Sequence, residues 1–302
     1  MDKNRRIVVG LIGVSSLSLF SLQNIFTRTK VASNKSIIGK YAPLNGKASK
    51  IIKGLPYSEI VAESKRIAPL VSGILSSVKE KIANESLSKL ELQQYVIEML
   101  DDIDLLPSMA GYNGFPSGIA ISIDSEIIHN IPDKTIIPKG ALVTVELGAS
   151  TNAAYASQAW SYLSVPSLDL KEKLICSAKT ALVNAINEVK DGVRLGNIGS
   201  AIQSTLESDG YSVVREYCGY VMGSDRIQEP QILGYGKRET GPPIKEGQIL
   251  NIHVLASEGK RYTNLSKNNW GVKTKDGTPS VALSAMVLVT SEGYELLSSI
   301  DI

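Results

Sequence analysis

Two pairs of helical patterns, each followed by β-type runs, constrain this 302-residue chain more than any other feature. From Tyr57 to about Lys81, the residues Ile60, Val61, Ile67, Leu70, Val71, Ile74 and Leu75 recur at the intervals that align apolar side chains on one helix face. A second helix is predicted from about Ser88 to Asp101, on Leu90, Leu92, Tyr95, Val96 and Leu100. Gly118–Ile123 and Ala141–Leu147 read as strands, with turn chemistry at Ile131-Pro132-Asp133-Lys134 and Pro138-Lys139-Gly140 between them. The order then repeats. A helix is predicted from Asp169 to Val189, capped by Ser167 and stopped by Asp191-Gly192, and another from about Ile198 to Ser208. Strands follow at Val213–Arg215, Ile249–Ala256 and Val281–Thr290. Helix-helix-strands, met twice, implies an α+β domain of two similar halves, although no sequence repeat is visible between them.

With 43% hydrophobic residues, the chain can bury a sizeable core. Its formal net charge of +2 is unevenly spread: residues 1–50 hold nine Lys and Arg against one acid, Asp2. The remainder is therefore mildly acidic, which argues against nucleic acid as a partner. Cys176 and Cys218 fit no CxxC or zinc spacing; a disulfide between them and two reduced thiols are both open. Lys3, Arg5 and Arg6 precede an apolar stretch from Ile7 to Phe26, the pattern of a secretory signal or a membrane anchor. Residues 1–27 are accordingly expected to anchor or export the protein, residues 28–54 to form a polar linker, and residues 55–302 to form the folded domain.

Several local motifs carry more. Gly111-Tyr112-Asn113-Gly114-Phe115-Pro116 is followed by Ile121-Ser122-Ile123-Asp124 and by His129-Asn130-Ile131-Pro132-Asp133. Farther on come Tyr217-Cys218-Gly219 with Gly223, Glu229-Pro230 and Tyr235, then Trp270 with Lys273–Gly277, and Val287–Glu295. These blocks resemble, in order and separation, the substrate-pocket strand, the H-G-I-P-D turn, the Y-C-G-H-G-I-G…E-P…Y segment and the C-terminal end of bacterial methionine aminopeptidases. The resemblance covers roughly residues 57–299 and implies the pita-bread fold: two pseudo-symmetric α-β halves around a central antiparallel sheet.

It also implies where two divalent ions would be held, by Asp, Asp, His, Glu and Glu. Carried over one at a time, the first Asp falls on Glu146, the second on Ser157 and the His on Tyr220. The first Glu falls on His253 and the last on Ser284. Only Glu146 keeps a carboxylate, and two divalent cations need carboxylate charge and a bridging ligand to stay together. No Asp or Glu lies between Leu147 and Asp169, so sliding the register does not restore the second position. The family's first pocket histidine is kept as His129, and its second falls on Ile227.

Both histidines of the chain thus fall on pocket positions. A disused pocket should drift toward apolar fillings, because unpaired buried polar groups are costly. Ile227 fits that expectation, whereas His129, His253, Glu146, Tyr220, Ser157 and Ser284 do not. The favoured expectation is metal-independent acid/base chemistry without a cofactor, as in the creatinase relatives of this fold. It would be carried by His129, His253, Tyr220 and Glu146 and would act on a small-molecule or peptide ligand. Tyr112, Phe115, Trp270, Ser157, Ser284 and Ile227 would shape the substrate pocket. Two alternatives stand beside it: a pseudoenzyme that binds a peptide amino terminus or a partner protein, and a mononuclear metal site from Glu146, His253 and His129. Cys218 is expected to be structural, and the oligomeric state is left open.

Overall fold

The computed structural model describes residues 54–165 and 170–300. The segments expected to be an anchor (1–27) and, but for Gly54, a linker (28–54) lie outside them, as does the expected cap Ser167. The first half opens with helix α1 (Tyr57–Asn84) and helix α2 (Lys89–Asp102). Ser88 starts α2 with a reciprocal capping box: its hydroxyl accepts from the Glu91 N–H, and the Glu91 carboxylate accepts from the Ser88 N–H. Two backbone donors that a helix start would leave unpaired are thereby satisfied.

Strands β1 (Leu106–Pro107), β2 (Ile119–Ile123), β3 (Glu126–Ile128), β4 (Leu142–Ser150) and β5 (Tyr155–Leu163) follow. β4 is the centre of its sheet: β1 and β2 pair along one edge and β5 along the other, all antiparallel. The second half repeats the plan with helices α3 (Leu170–Asn187) and α4 (Leu195–Ser208). Strands β6 (Ser212–Val213), β7 (Gly219–Met222), β8 (Gln228–Ile232) and β9 (Ile249–Ser257) come next. The chain ends on β10 (Thr263–Leu265), β11 (Val272–Thr274), β12 (Ser280–Val289) and β13 (Tyr294–Leu296). The larger sheet runs β13-β12-β9-β7-β8, with β6 also on β9, and a small sheet joins β10, β11 and β3. The expected α+β pita-bread architecture is what the chain adopts.

β5 has no counterpart in the sequence reading, and its side chains explain why. Ala156, Ser157, Ala159, Trp160 and Ser161 are buried whichever face they point to, so polar and apolar residues do not alternate. The strand runs antiparallel beside β12, and small polar atoms join the two sheets. The Ala159 N–H donates to Ser284 Oγ at 2.9 Å, the Ala282 N–H donates to Ser161 Oγ at 3.0 Å, and the Ser157 N–H points to Met286 Sδ at 3.3 Å. The opposite face of β5 meets the helices. Tyr162 donates its hydroxyl proton to the Leu75 carbonyl of α1, Ser72 donates to Gln158, and the Lys179 ammonium of α3 stands over the Trp160 ring. One face of the paired sheets is thus committed to the helical layer, and the other surrounds a cleft.

Candidate active-site cleft

Side chains alternate along a strand, so Glu146 and position 148 of β4 look the same way. Ala159 and Ser157 stand opposite them on β5. From the second half, β9 carries His253 opposite Ser284 of β12, and Tyr220 of β7 pairs with Asn251. These faces enclose a cavity of about 380 Å³ lined by Glu146, Ser157, Tyr220 and His253 on its floor and by Tyr112, Phe115 and Trp270 on an outer wall. Phe115 and Trp270 meet edge to face with ring centroids 5.2 Å apart, a favoured aromatic geometry.

His129 reaches this cleft through an uncommon backbone. Its φ of 57° is left-handed, a conformation that L-residues other than Asn, Asp and His rarely take. The turn lets the His129 N–H donate to Glu146 Oε2 at 2.5 Å. The ring Nε2 lies 3.6 Å from Glu146 Oε1, and the ring stands edge-on to Tyr217 at 5.7 Å. Glu146 is only 8% exposed, and its two carboxyl oxygens face the His129 backbone N–H and the His129 ring.

His253 is of a different kind. Its Nε2 is buried without a hydrogen-bond partner. Burial, with the neighbouring His129 and Arg226 charges adding to it, pushes its pKa down to about 3. The ring tilts against Tyr220 at 5.2 Å, and Asn251 Nδ2 reaches the Ser157 carbonyl at 3.1 Å and the Tyr220 hydroxyl at 3.4 Å. Because an unfolded histidine takes a proton near pH 6.5 and this one only near pH 3, stability is complete above about 6.5 and falls between those values. The expected slope is up to about 1.4 kcal/mol per pH unit. Urea unfolding of wild type and His253→Gln at pH 7 and pH 4.5 should show the variant losing less on acidification. Equal losses would mean that the folded ring accepts a proton readily.

Of the expected pocket residues, the structure brings His129, Glu146, Ser157, Tyr220, His253, Tyr112, Phe115 and Trp270 together. Ser284 is a correction: it is fully buried at the sheet junction with its hydroxyl occupied by the Ala159 N–H, not at the cavity wall. Ile227 reaches the cavity mouth but is 40% exposed, so it does not fill the interior. The inward group beside it is Arg226, whose guanidinium stacks on Tyr112 at 4.9 Å. Sequence reading missed Arg226 and Asn251. A lone Asn between Leu250 and Ile252 was the available signal for the second; nothing local marked the first. Cys176 and Cys218 are free, and burial raises the Cys218 thiol's pKa, which agrees with a structural role.

The metallopeptidase family M24 model matches residues 63–291. Methionine aminopeptidase 1 of Bacillus subtilis is 32% identical over 241 residues, covering 80% of this chain and 96% of that protein. Methionine aminopeptidase of Escherichia coli is 29% identical over 78% of this chain and 90% of its own length. Among solved structures, methionine aminopeptidase from Thermotoga maritima superposes with a TM-score of 0.77 at 28% identity, covering 82% of this chain and all of that one. Prolidase from Pyrococcus furiosus, at 17% identity and a TM-score of 0.63, shares the fold. The chain belongs to metallopeptidase family M24, in its methionine aminopeptidase branch.

Two expectations are corrected by these findings. Metal-independent acid/base chemistry on a re-purposed pocket, with its pseudoenzyme and mononuclear alternatives, gives way to an aminopeptidase reading, because the matched relatives are named methionine aminopeptidases at 29–32% identity. The structure adds physical reasons. A His253 ring that stays neutral to about pH 3 is too weak a base to exchange protons near neutrality. Among the described residues no group of three or more His, Cys, Asp or Glu is placed to hold a metal ion. Anchoring or export through residues 1–27 is also withdrawn. The relatives that match over 78–80% of this chain are named methionine aminopeptidases, which gives no support to an anchored or exported protein. No described helix is long and apolar enough to cross a membrane.

Proposed function

We propose that the cleft takes the amino-terminal residue of a peptide chain, in an aminopeptidase-type role. The observation that carries this reading is the pairing, in one cavity, of a single inner carboxylate with an aromatic outer wall. Glu146 has acceptor capacity left beyond the His129 N–H and is placed to receive an α-ammonium. Tyr112, Phe115 and Trp270 offer the side chain an apolar surface of the kind small-ligand sites use.

The five positions that the resemblance assigns to two divalent ions hold Glu146, Ser157, Tyr220, His253 and Ser284, and this set does not fit such a pair. It supplies one carboxylate, already bonded to a backbone N–H. Its histidine is half-buried with Nε2 shut away from solvent, and one of its hydroxyls accepts from the Ala159 N–H. Two hard cations would lack both charge compensation and a bridge, so no hydrolytic step is derived through them. Elemental analysis after incubation with Mn, Co or Fe is expected to find fewer than two tightly held equivalents. Two equivalents would overturn the ligand-set argument.

The peptide reading is tested by calorimetry with Met-Ala-Ser amide and its N-acetylated form, assaying release of methionine in the same samples. Binding is expected for the free amine and to be weaker by at least about tenfold after acetylation, since hydrogen bonds to charged groups contribute roughly 1.5–3 kcal/mol. Indifference to acetylation would overturn the reading.

A further inference from the structure

Arg226 is the charged group of this cleft that no role above absorbs. Its Nε is buried without a hydrogen-bond partner, its guanidinium lies on the Tyr112 ring, and among the described residues it enters no ion pair. A part-buried guanidinium whose Nε is shut away from solvent without an acceptor is under-satisfied, which is costly in a folded protein. An aromatic face offsets part of that cost but offers no acceptor to the N–H fork.

Its position is fixed relative to Gly148. A Cβ built there, on the same face of β4 as Glu146, would meet Ser108 Oγ at 2.5 Å and would lie 3.4 Å from the Arg226 terminal nitrogen Nη2. Arg226, from the β7–β8 connection, therefore stands over position 148 of β4, and Glu146 rises from the neighbouring same-side position, the two Cα positions being roughly 7 Å apart along the strand. The other acids at the lining, Glu216 and Glu229, are exposed at the rim. Each accepts from a nearby backbone N–H, of Arg215 and Gln231 respectively.

We infer that Arg226 binds a carboxylate of the ligand, so that the cleft selects peptides carrying a negative charge one strand-repeat from the amino terminus. The proposal rests on the peptide-amine reading above for the role of Glu146, while the Arg226 half stands on its own geometry. Planar carboxylates match the guanidinium fork, and a separation of this size suits three sources. One is the side chain of an amino-terminal Asp or Glu, another the side chain of an acidic second residue, and the third the free carboxylate of a dipeptide. A neutral methionine side chain would leave the guanidinium unpaired.

Calorimetry on the full-length chain separates these sources with Glu-Ala-Ser amide, Ala-Glu-Ser amide, Met-Ala dipeptide and the neutral Met-Ala-Ser amide, each with an N-acetylated control. At least one carboxylate-bearing ligand is expected to bind about 10- to 100-fold more tightly than the neutral peptide, the range charged hydrogen bonds give. Arg226→Met should abolish that preference and leave binding of the neutral peptide intact or improved, while Arg226→Lys should restore part of it. Equal or weaker binding of every carboxylate ligand, including no binding at all, overturns the proposal, as does an unchanged preference in Arg226→Met. If acetylation has no effect but the Arg226-dependent preference persists, the peptide-amine reading fails and this one survives.

Discussion

Glu146→Gln is expected to lower affinity for a peptide with a free amino terminus by about 10- to 100-fold while leaving the fold intact. The amide oxygen of Gln can still accept from the His129 N–H, now met by Glu146 Oε2 at 2.5 Å. What disappears is the negative charge that would hold the ammonium. Glu146→Ala separates the two roles. It removes the acceptor of a part-buried N–H whose residue is held at a φ of 57°, so it should also cost about 1–3 kcal/mol of stability. Calorimetry with Met-Ala-Ser amide and urea unfolding of both variants measure the difference. Undiminished binding by Glu146→Gln would remove the carboxylate from the recognition of the amine.

Trp160→Ala should produce the largest loss of stability, about 3–5 kcal/mol. The residue is 1% exposed and is among the largest fully buried side chains of the protein. It stands on the helix-facing side of β5, between Gln158 and Tyr162, which bond to α1, and below Lys179 of α3. Truncation would leave a cavity where the helical layer meets the sheet, and rigid neighbours on both sides would fill it poorly. Trp160→Phe should cost only about 1–2 kcal/mol, a change of shape without a large void. Its indole Nε1 has no hydrogen-bond partner to lose. Urea midpoints at constant m-value would report both changes. A cost below about 1 kcal/mol for Trp160→Ala would mean that α1 and α3 do not depend on this ring for their seating.

The helices were legible because their signals are local. The three- and four-residue apolar spacing of α1 and the Ser88–Glu91 box of α2 are complete within their own segments. β4, β9 and β12 were legible as continuous runs of strand-forming residues, whereas β5, with its Ala and Ser faces, gave no period to read. The cleft was partly legible. Ordered motifs placed Glu146, His129, Tyr220 and His253, and the cavity gathers all four.

The residue types at those positions, and hence the single carboxylate among the five inherited from the resemblance, were determined by the sequence alone. So were the helix pairs and their order. Which polar groups are free to meet a ligand was decided only by tertiary structure. Ser284 accepts from a backbone donor 125 residues away, and desolvation, with the His129 and Arg226 charges beside it, pushes the His253 pKa down. Arg226 and Ile227 both line the cleft, but only Arg226 packs on Tyr112, while Ile227 stays 40% exposed. Side-chain chemistry is a local property of the chain. Its availability depends on desolvation and hydrogen-bond partners that distant strands supply only once they pack.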